Sequence, residues 1–77
     1  MLLSMKELLT VAQKNHFAVP AFNAGTGQLL TAMMESAEEK QAPVILEIHP
    51  DELRFLRDSF ISSAIYEANH TKVPMAI

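Results

Sequence analysis

Three side chains stand at the ends of the two clearest apolar runs, where they could meet a ligand. Asn23 follows Phe17-Ala18-Val19-Pro20-Ala21-Phe22. Glu47 and His49 lie in Val44-Ile45-Leu46-Glu47-Ile48-His49. An amide, a carboxylate and an imidazole can orient a polar substrate through hydrogen bonds. Neighbouring strands lie ~4.8 Å apart, so adjacent strands would let the three share one site. Each residue also has an ordinary reading. Asn23 suits a turn, where asparagine bonds its own backbone. Glu47 suits a partly solvated strand position paired with a Lys or Arg. His49, just before Pro50, suits a loop.

The remaining candidates are weaker. His16, His49 and His70 are far apart and lack a metal-ligand spacing, and His16 and His70 precede strands while His49 follows one. Ser59, Ser62 and Ser63 lie in a helical pattern without a G-x-S-x-G elbow, and read as surface or groove serines. Gly25-Thr26-Gly27 invites a phosphate-loop reading. It lacks both the third glycine of a dinucleotide fingerprint and the Gly-Lys-Ser/Thr of a P-loop. Met33-Met34 reads as helix core.

The elements that position these residues alternate. Ser4-x-x-Glu7 is a capping box and opens a helix over about 5–15. The apolar run 17–22 predicts a first strand covered on both faces, with Pro20 an awkward resident because it removes a ladder donor. Asn23-Ala24-Gly25 then turns the chain. Thr26 is the N-cap expected for a helix over 27–41, with Leu29, Leu30, Met33, Met34 and Ala37 at helical spacing. Ala42-Pro43 stops it. A second strand follows over 44–49. Pro50 suits the first turn of a third helix reaching about Asn69, striped by Leu53, Leu56, Phe60, Ile61, Ala64, Ile65 and Ala68. Val73-Pro74-Met75-Ala76-Ile77 predicts a third strand.

Strand centres near 19, 46 and 75 lie 27 and 29 residues apart, the length of a βα unit. That rhythm predicts a parallel sheet, either doubly wound or part of a barrel. Parity favours the barrel. Period 2 points Ile45, Glu47 and His49 to one face and Val44, Leu46 and Ile48 to the other. A doubly wound sheet buries both faces, where a lone carboxylate is costly; a barrel lumen admits polar groups. The fold class expected is therefore α/β. It is a partial TIM (β/α)8 barrel of roughly two βα units plus the third strand, after a short N-terminal helix.

Bulk properties bound this reading. The chain has 77 residues, while a whole barrel needs roughly 250. The last residues read as mid-strand, which would leave a long unpaired parallel edge. Residues 1–77 are therefore expected to form the N-terminal piece of a single barrel domain. There is no cysteine, hence no disulfide framework and no thiolate metal site. The net charge of −3 is spread along the chain and argues against a nucleic-acid partner. No apolar run approaches the ~20 residues of a membrane span. The start, MLLSMKELL, lacks signal-peptide features.

A resemblance sharpens these expectations. Ser4-x-x-Glu7-Leu8-Leu9, then Phe17-Ala18-Val19-Pro20-Ala21-Phe22-Asn23, then Ala37-Glu38-Glu39 and Ala42-Pro43-Val44-Ile45-Leu46 follow in order. Together they resemble the N-terminus of class II ketose-bisphosphate aldolases, which include fructose- and tagatose-bisphosphate aldolases. The resemblance covers nearly the whole chain but only about the first quarter of the family's barrel. It implies a zinc-dependent barrel that reversibly cleaves a ketose 1,6-bisphosphate to dihydroxyacetone phosphate and an aldehyde. It implies a sugar bisphosphate as substrate, a homo-oligomer when intact and a cytoplasmic setting, with no nucleic acid and no membrane.

In the family, the third strand runs on into a His-Leu-Asp-His-type motif carrying the catalytic Asp and a zinc His. The chain reaches only to Ile77, where that motif should begin. Catalytic residues and zinc ligands are thus expected downstream, and these residues alone should be inactive. Asn23 matches the substrate-site Asn of the family's A-F-N motif. Glu47 falls where relatives often carry Gln or another polar residue, and His49 where they often carry Ser or Thr. Both are substrate-binding candidates and both depart from the pattern, as does Ala24-Gly25-Thr26-Gly27. The alternative is a non-catalytic truncated product that self-associates or complements a missing partner piece.

Overall fold

A computed structural model describes residues 1–77. The elements run α1 (Met5–Lys14), β1 (Ala21–Asn23), α2 (Gly27–Lys40), β2 (Val44–Glu47), α3 (Pro50–His70) and β3 (Met75–Ala76). The three strands form one parallel sheet in the order β1-β2-β3. Ala21 pairs with Ile45 and Asn23 with Glu47; on the other side Val44 pairs with Met75.

Local chemistry sets the helix starts as the sequence predicts. The Ser4 hydroxyl accepts from the Glu7 N–H at 3.1 Å, and the Glu7 carboxylate accepts from the Ser4 N–H at 2.9 Å, closing the capping box. The Thr26 hydroxyl accepts from the Leu29 N–H. Pro50 sits in the first turn of α3 behind His49. Gln41, in the left-handed conformation, ends α2 ahead of Pro43.

Both crossover helices pack on one face of the sheet. Leu30, Met33, Met34 and Ala37 of α2 and Phe60, Ala64 and Ala68 of α3 bury against Val44, Leu46 and Met75. The opposite face is covered only at the strand starts, where Leu8 of α1 meets Ile45 and Ala76. The parity reading is thus correct for β2: Val44 and Leu46 face the helices and Ile45 faces away.

Four expectations need correction. The first strand spans 21–23, not 17–22, and all three residues are exposed rather than covered on both faces. Phe17 belongs to the end of α1, its N–H donating to the Ala12 carbonyl while His16 takes φ 57°. Pro20 cannot donate, so it enters the ladder only as an acceptor, from the Ile45 N–H at 2.9 Å. Asn23 in turn closes the strand rather than making a turn.

Second, β2 ends at Glu47, because His49 is already the cap of α3. Third, α3 is broken at Arg57, with φ 63° and ψ −163°. Fourth, the outer edge of β3 is not left unpaired. Leu2 forms a parallel bridge with Met75, the Leu3 N–H donates to the Met75 carbonyl and the Met75 N–H to the Met1 carbonyl. The free edge belongs to β1.

Candidate functional site

The carboxyl ends of the strands bring two of the three candidates together. Asn23 and Glu47 are register partners at the last positions of β1 and β2. Partners in a parallel ladder point to the same face, so both project from the side opposite α2 and α3. The Ala24 N–H donates to the Glu47 carbonyl at 3.2 Å, carrying the pairing one step further. Both side chains are exposed. Neither ion pair of the chain involves Glu47.

His49 sits two residues beyond, off the ladder. As N-cap of α3 its Nδ1 accepts from the Asp51 N–H at 3.1 Å. In the neutral ring that bond leaves the proton on Nε2, which becomes a free donor. Asp51 lies 4.0 Å from the same Nδ1, but its carboxylate is committed to Arg54 at 2.7 Å. This end of the sheet therefore carries an amide and a carboxylate at paired positions, with an imidazole two residues further along the chain.

One rim residue escaped the sequence reading. Glu52, in the first turn of α3, lays its carboxylate over Gly25. A Cβ at Gly25 would fall 2.7 Å from Glu52 Oε1 and 2.9 Å from Cδ. Glu52 Oε2 is buried without a hydrogen-bond partner. No glycine here has a positive φ, so Gly25 is present for space, not for backbone freedom. One sequence signal could have found the pair: Glu52 stands three residues after His49 at a helix start, one turn above the β1 loop.

The other candidates behave as ordinary residues. Thr26 of the Gly-Thr-Gly turn caps α2. Ser59 and Ser63 donate to helix carbonyls. His70 stacks on Tyr66, with ring centroids 3.9 Å apart. No group of three or more His, Cys, Asp or Glu side chains is placed to hold a metal ion. A cavity of about 470 Å³ touches Asn23 but lies mainly between β1 and α2, lined by Phe22, Leu29, Met33 and Ala37. It is an apolar groove beside the free β1 edge, and its lining is unsuited to polar chemistry. No helix is long and apolar enough to cross a membrane.

A family model described as "Fructose-bisphosphate aldolase class-II" matches residues 3–77. Among curated relatives, a 6-phospho-5-dehydro-2-deoxy-D-gluconate aldolase of Halalkalibacterium halodurans is 38% identical over 81 residues, covering 99% of this chain and 28% of the relative. A plasmid-borne fructose-bisphosphate aldolase of Cupriavidus necator is 30% identical, covering 99% of the chain and 23% of the relative. A fructose-bisphosphate aldolase of Staphylococcus aureus (strain Mu50) is 31% identical, covering 99% and 28%. The chain spans about a quarter of the length of the relatives it matches.

Proposed function

The chain belongs to the class II fructose-bisphosphate aldolase family, and from that premise we propose that residues 1–77 form the first part of a (β/α)8 barrel cleaving a ketose 1,6-bisphosphate into dihydroxyacetone phosphate and an aldehyde. One observation carries the reading most: Asn23 and Glu47 are paired at the carboxyl ends of adjacent parallel strands, on the face away from both crossover helices. Barrel enzymes hold their substrates at that end of the strands. The sequential strand order and the shared side of α2 and α3 support the barrel itself.

In this reading the Asn23 amide hydrogen-bonds the substrate. Glu47 accepts from a substrate hydroxyl, and the His49 Nε2–H donates at the pocket rim. None of the three moves the reacting proton. Zinc would supply Lewis-acid polarisation of the substrate carbonyl. The side chains present do not form a site for it. Its ligands and the catalytic Asp belong to the three quarters of the family's length outside these residues. The 77 residues alone are then inactive, and the whole protein is a cytoplasmic homo-oligomer. The free β1 edge, with Phe22 53% exposed beside an apolar groove, favours a second reading. It is a non-catalytic piece that self-associates or complements a missing part.

A chimera provides the test. Residues 1–77 would replace the matched quarter of the Halalkalibacterium relative. It should cleave a ketose bisphosphate in a zinc-dependent manner, while the 77-residue chain should not. A chimera that folds and binds zinc, yet cleaves no such substrate, would refute the enzymatic reading.

A further inference from the structure

Helix α3 is two pieces joined at Arg57, and the first piece has little hold on the rest of the molecule. The buried residues of α3, Phe60, Ala64 and Ala68, all lie beyond the break. Within residues 50–56 no side chain is fully buried, and only Glu52, Leu53 and Leu56 are half-buried. Phe55, the largest apolar side chain of the piece, is 85% exposed and holds nothing down.

Within itself the piece is well tied. His49 caps it, its Nδ1 accepting from the Asp51 N–H and its carbonyl from the Leu53 N–H at 2.9 Å. Arg54 pairs with Asp51 at 2.7 Å. At the far end the Leu56 carbonyl accepts from the Ser59 hydroxyl at 3.1 Å. Both junctions are non-helical: His49 has φ −64° and ψ 137°, and Arg57 has φ 63° and ψ −163°. The piece is thus a short rigid rod between two pivots.

Two costs attach to the position the rod takes. Arg57 is a non-glycine residue held at a positive φ. Glu52 Oε2 is buried against the Gly25 turn without a donor, which is unfavourable for a carboxylate. Both costs are relieved if the rod lifts, because the pivot relaxes and the carboxylate reaches water. Few buried contacts place a segment at the low-stability end of a fold, and these two costs push it further.

We propose that residues 50–56 form a strap across the turn between β1 and α2, which swings as a unit on His49 and Arg57 and lifts Glu52 off Gly25. Gly25 follows Asn23 by two residues, so the strap clamps the turn that leads away from the end of β1 and frees it when raised. The device is independent of what the strand ends bind.

Native-state amide exchange of the 77-residue chain, followed by NMR, tests it. The amides of Leu53, Arg54, Phe55 and Leu56 should share one protection factor, at least ~10-fold below those of Ala64 and Ala68. Low urea should reduce protection at Ala64 and Ala68 and leave the four unchanged, since lifting the strap exposes little surface. Arg57→Gly relieves the pivot and should raise protection of the four by ~5-fold. Glu52→Leu replaces the unpaired carboxylate by an apolar group of similar shape and should raise it by ~5-fold or more. A graded rise in protection from Leu53 to Leu56 would mean fraying of a helix end and would overturn the proposal. So would protection equal to that of Ala64 and Ala68, or no change in either variant.

Discussion

Replacing Arg57 by glycine should stabilise the chain, and the structure supplies the size of the effect. Arg57 interrupts α3 with φ 63° and ψ −163°, a combination in which a Cβ is crowded. Holding a non-glycine residue there costs on the order of 1–3 kcal/mol. Glycine removes that cost but gives back about 0.5–1 kcal/mol through the greater freedom of the unfolded chain. The net gain is about 1 kcal/mol, which for a domain this small raises Tm by roughly 4–8 °C. Nothing else is lost, because Arg57 is exposed and joins no ion pair. Thermal denaturation followed by circular dichroism reads the shift. Arg57→Ala is the control, since it keeps the Cβ and discards the guanidinium. An alanine variant as stable as the glycine variant would refute the strain argument. The break also matters for the rim. It separates the two turns or so that carry Asp51, Glu52 and Arg54 from the longer piece that aims Phe60, Ala64 and Ala68 at the sheet.

Further outcomes follow from the caps, the core and the rim. Ser4→Ala should cost about 1 kcal/mol by opening the capping box, seen as a lower Tm. The hydrogen bonds from Ser4 hold the Glu7 carboxyl below its ordinary value of 4.5. That contribution is therefore complete above about 4.5 and is lost as pH falls through the lowered value. Glu7→Gln should reduce the acid sensitivity of Tm, and an unchanged pH profile would contradict it. Leu46→Ala, at a fully buried position beneath α2 and α3, should cost about 2–5 kcal/mol. That is enough to unfold much of so small a chain, checked by chemical denaturation. In the chimera, Asn23→Ala should lower kcat/KM by ~10-fold or more through loss of one substrate hydrogen bond, with zinc content unchanged.

The parts legible in the sequence were those governed by local rules. Ser4 and Glu7 announce α1, Thr26 announces α2, and the parity of Val44 to Glu47 announces which face of β2 meets the helices. Composition misled at residues 17–22. Their apolar character reads as a doubly covered strand, yet Phe17 completes a helix end and β1 lies at an open edge, where Phe22 stays half exposed. The break at Arg57 was illegible because no glycine or proline marks it. Residues 1–3 on the β3 edge were illegible for a different reason: a pairing between Leu2 and Met75 depends on the path of the whole chain. The Glu52–Gly25 contact is of the same kind, since neither residue alone departs from a common helix start or a common turn.

The face turned away from the crossover helices changes character along its length. Along β2, Ile45 is buried under Leu8 with Ala76 beside it, while Glu47, two residues on, is exposed next to Asn23. The change from apolar to polar takes one repeat of the strand, ~6.6 Å. Helix α1 covers the first half of that step and stops short of the second. It is anchored to do so, because residues 1–3 pair with β3 and fix where α1 begins. An apolar floor beneath polar rim residues limits access by water from below and leaves the hydrogen-bonding groups facing outward. The position of α1 thus decides which end of that face stays polar and exposed. Loosening it by Leu8→Ala should destabilise the floor around Ile45 and Ala76 before it disturbs the α2–α3 core. Amide exchange should then rise first at Ile45 and Ala76, and a uniform rise across Val44, Leu46 and Phe60 would show that the two layers are not separable.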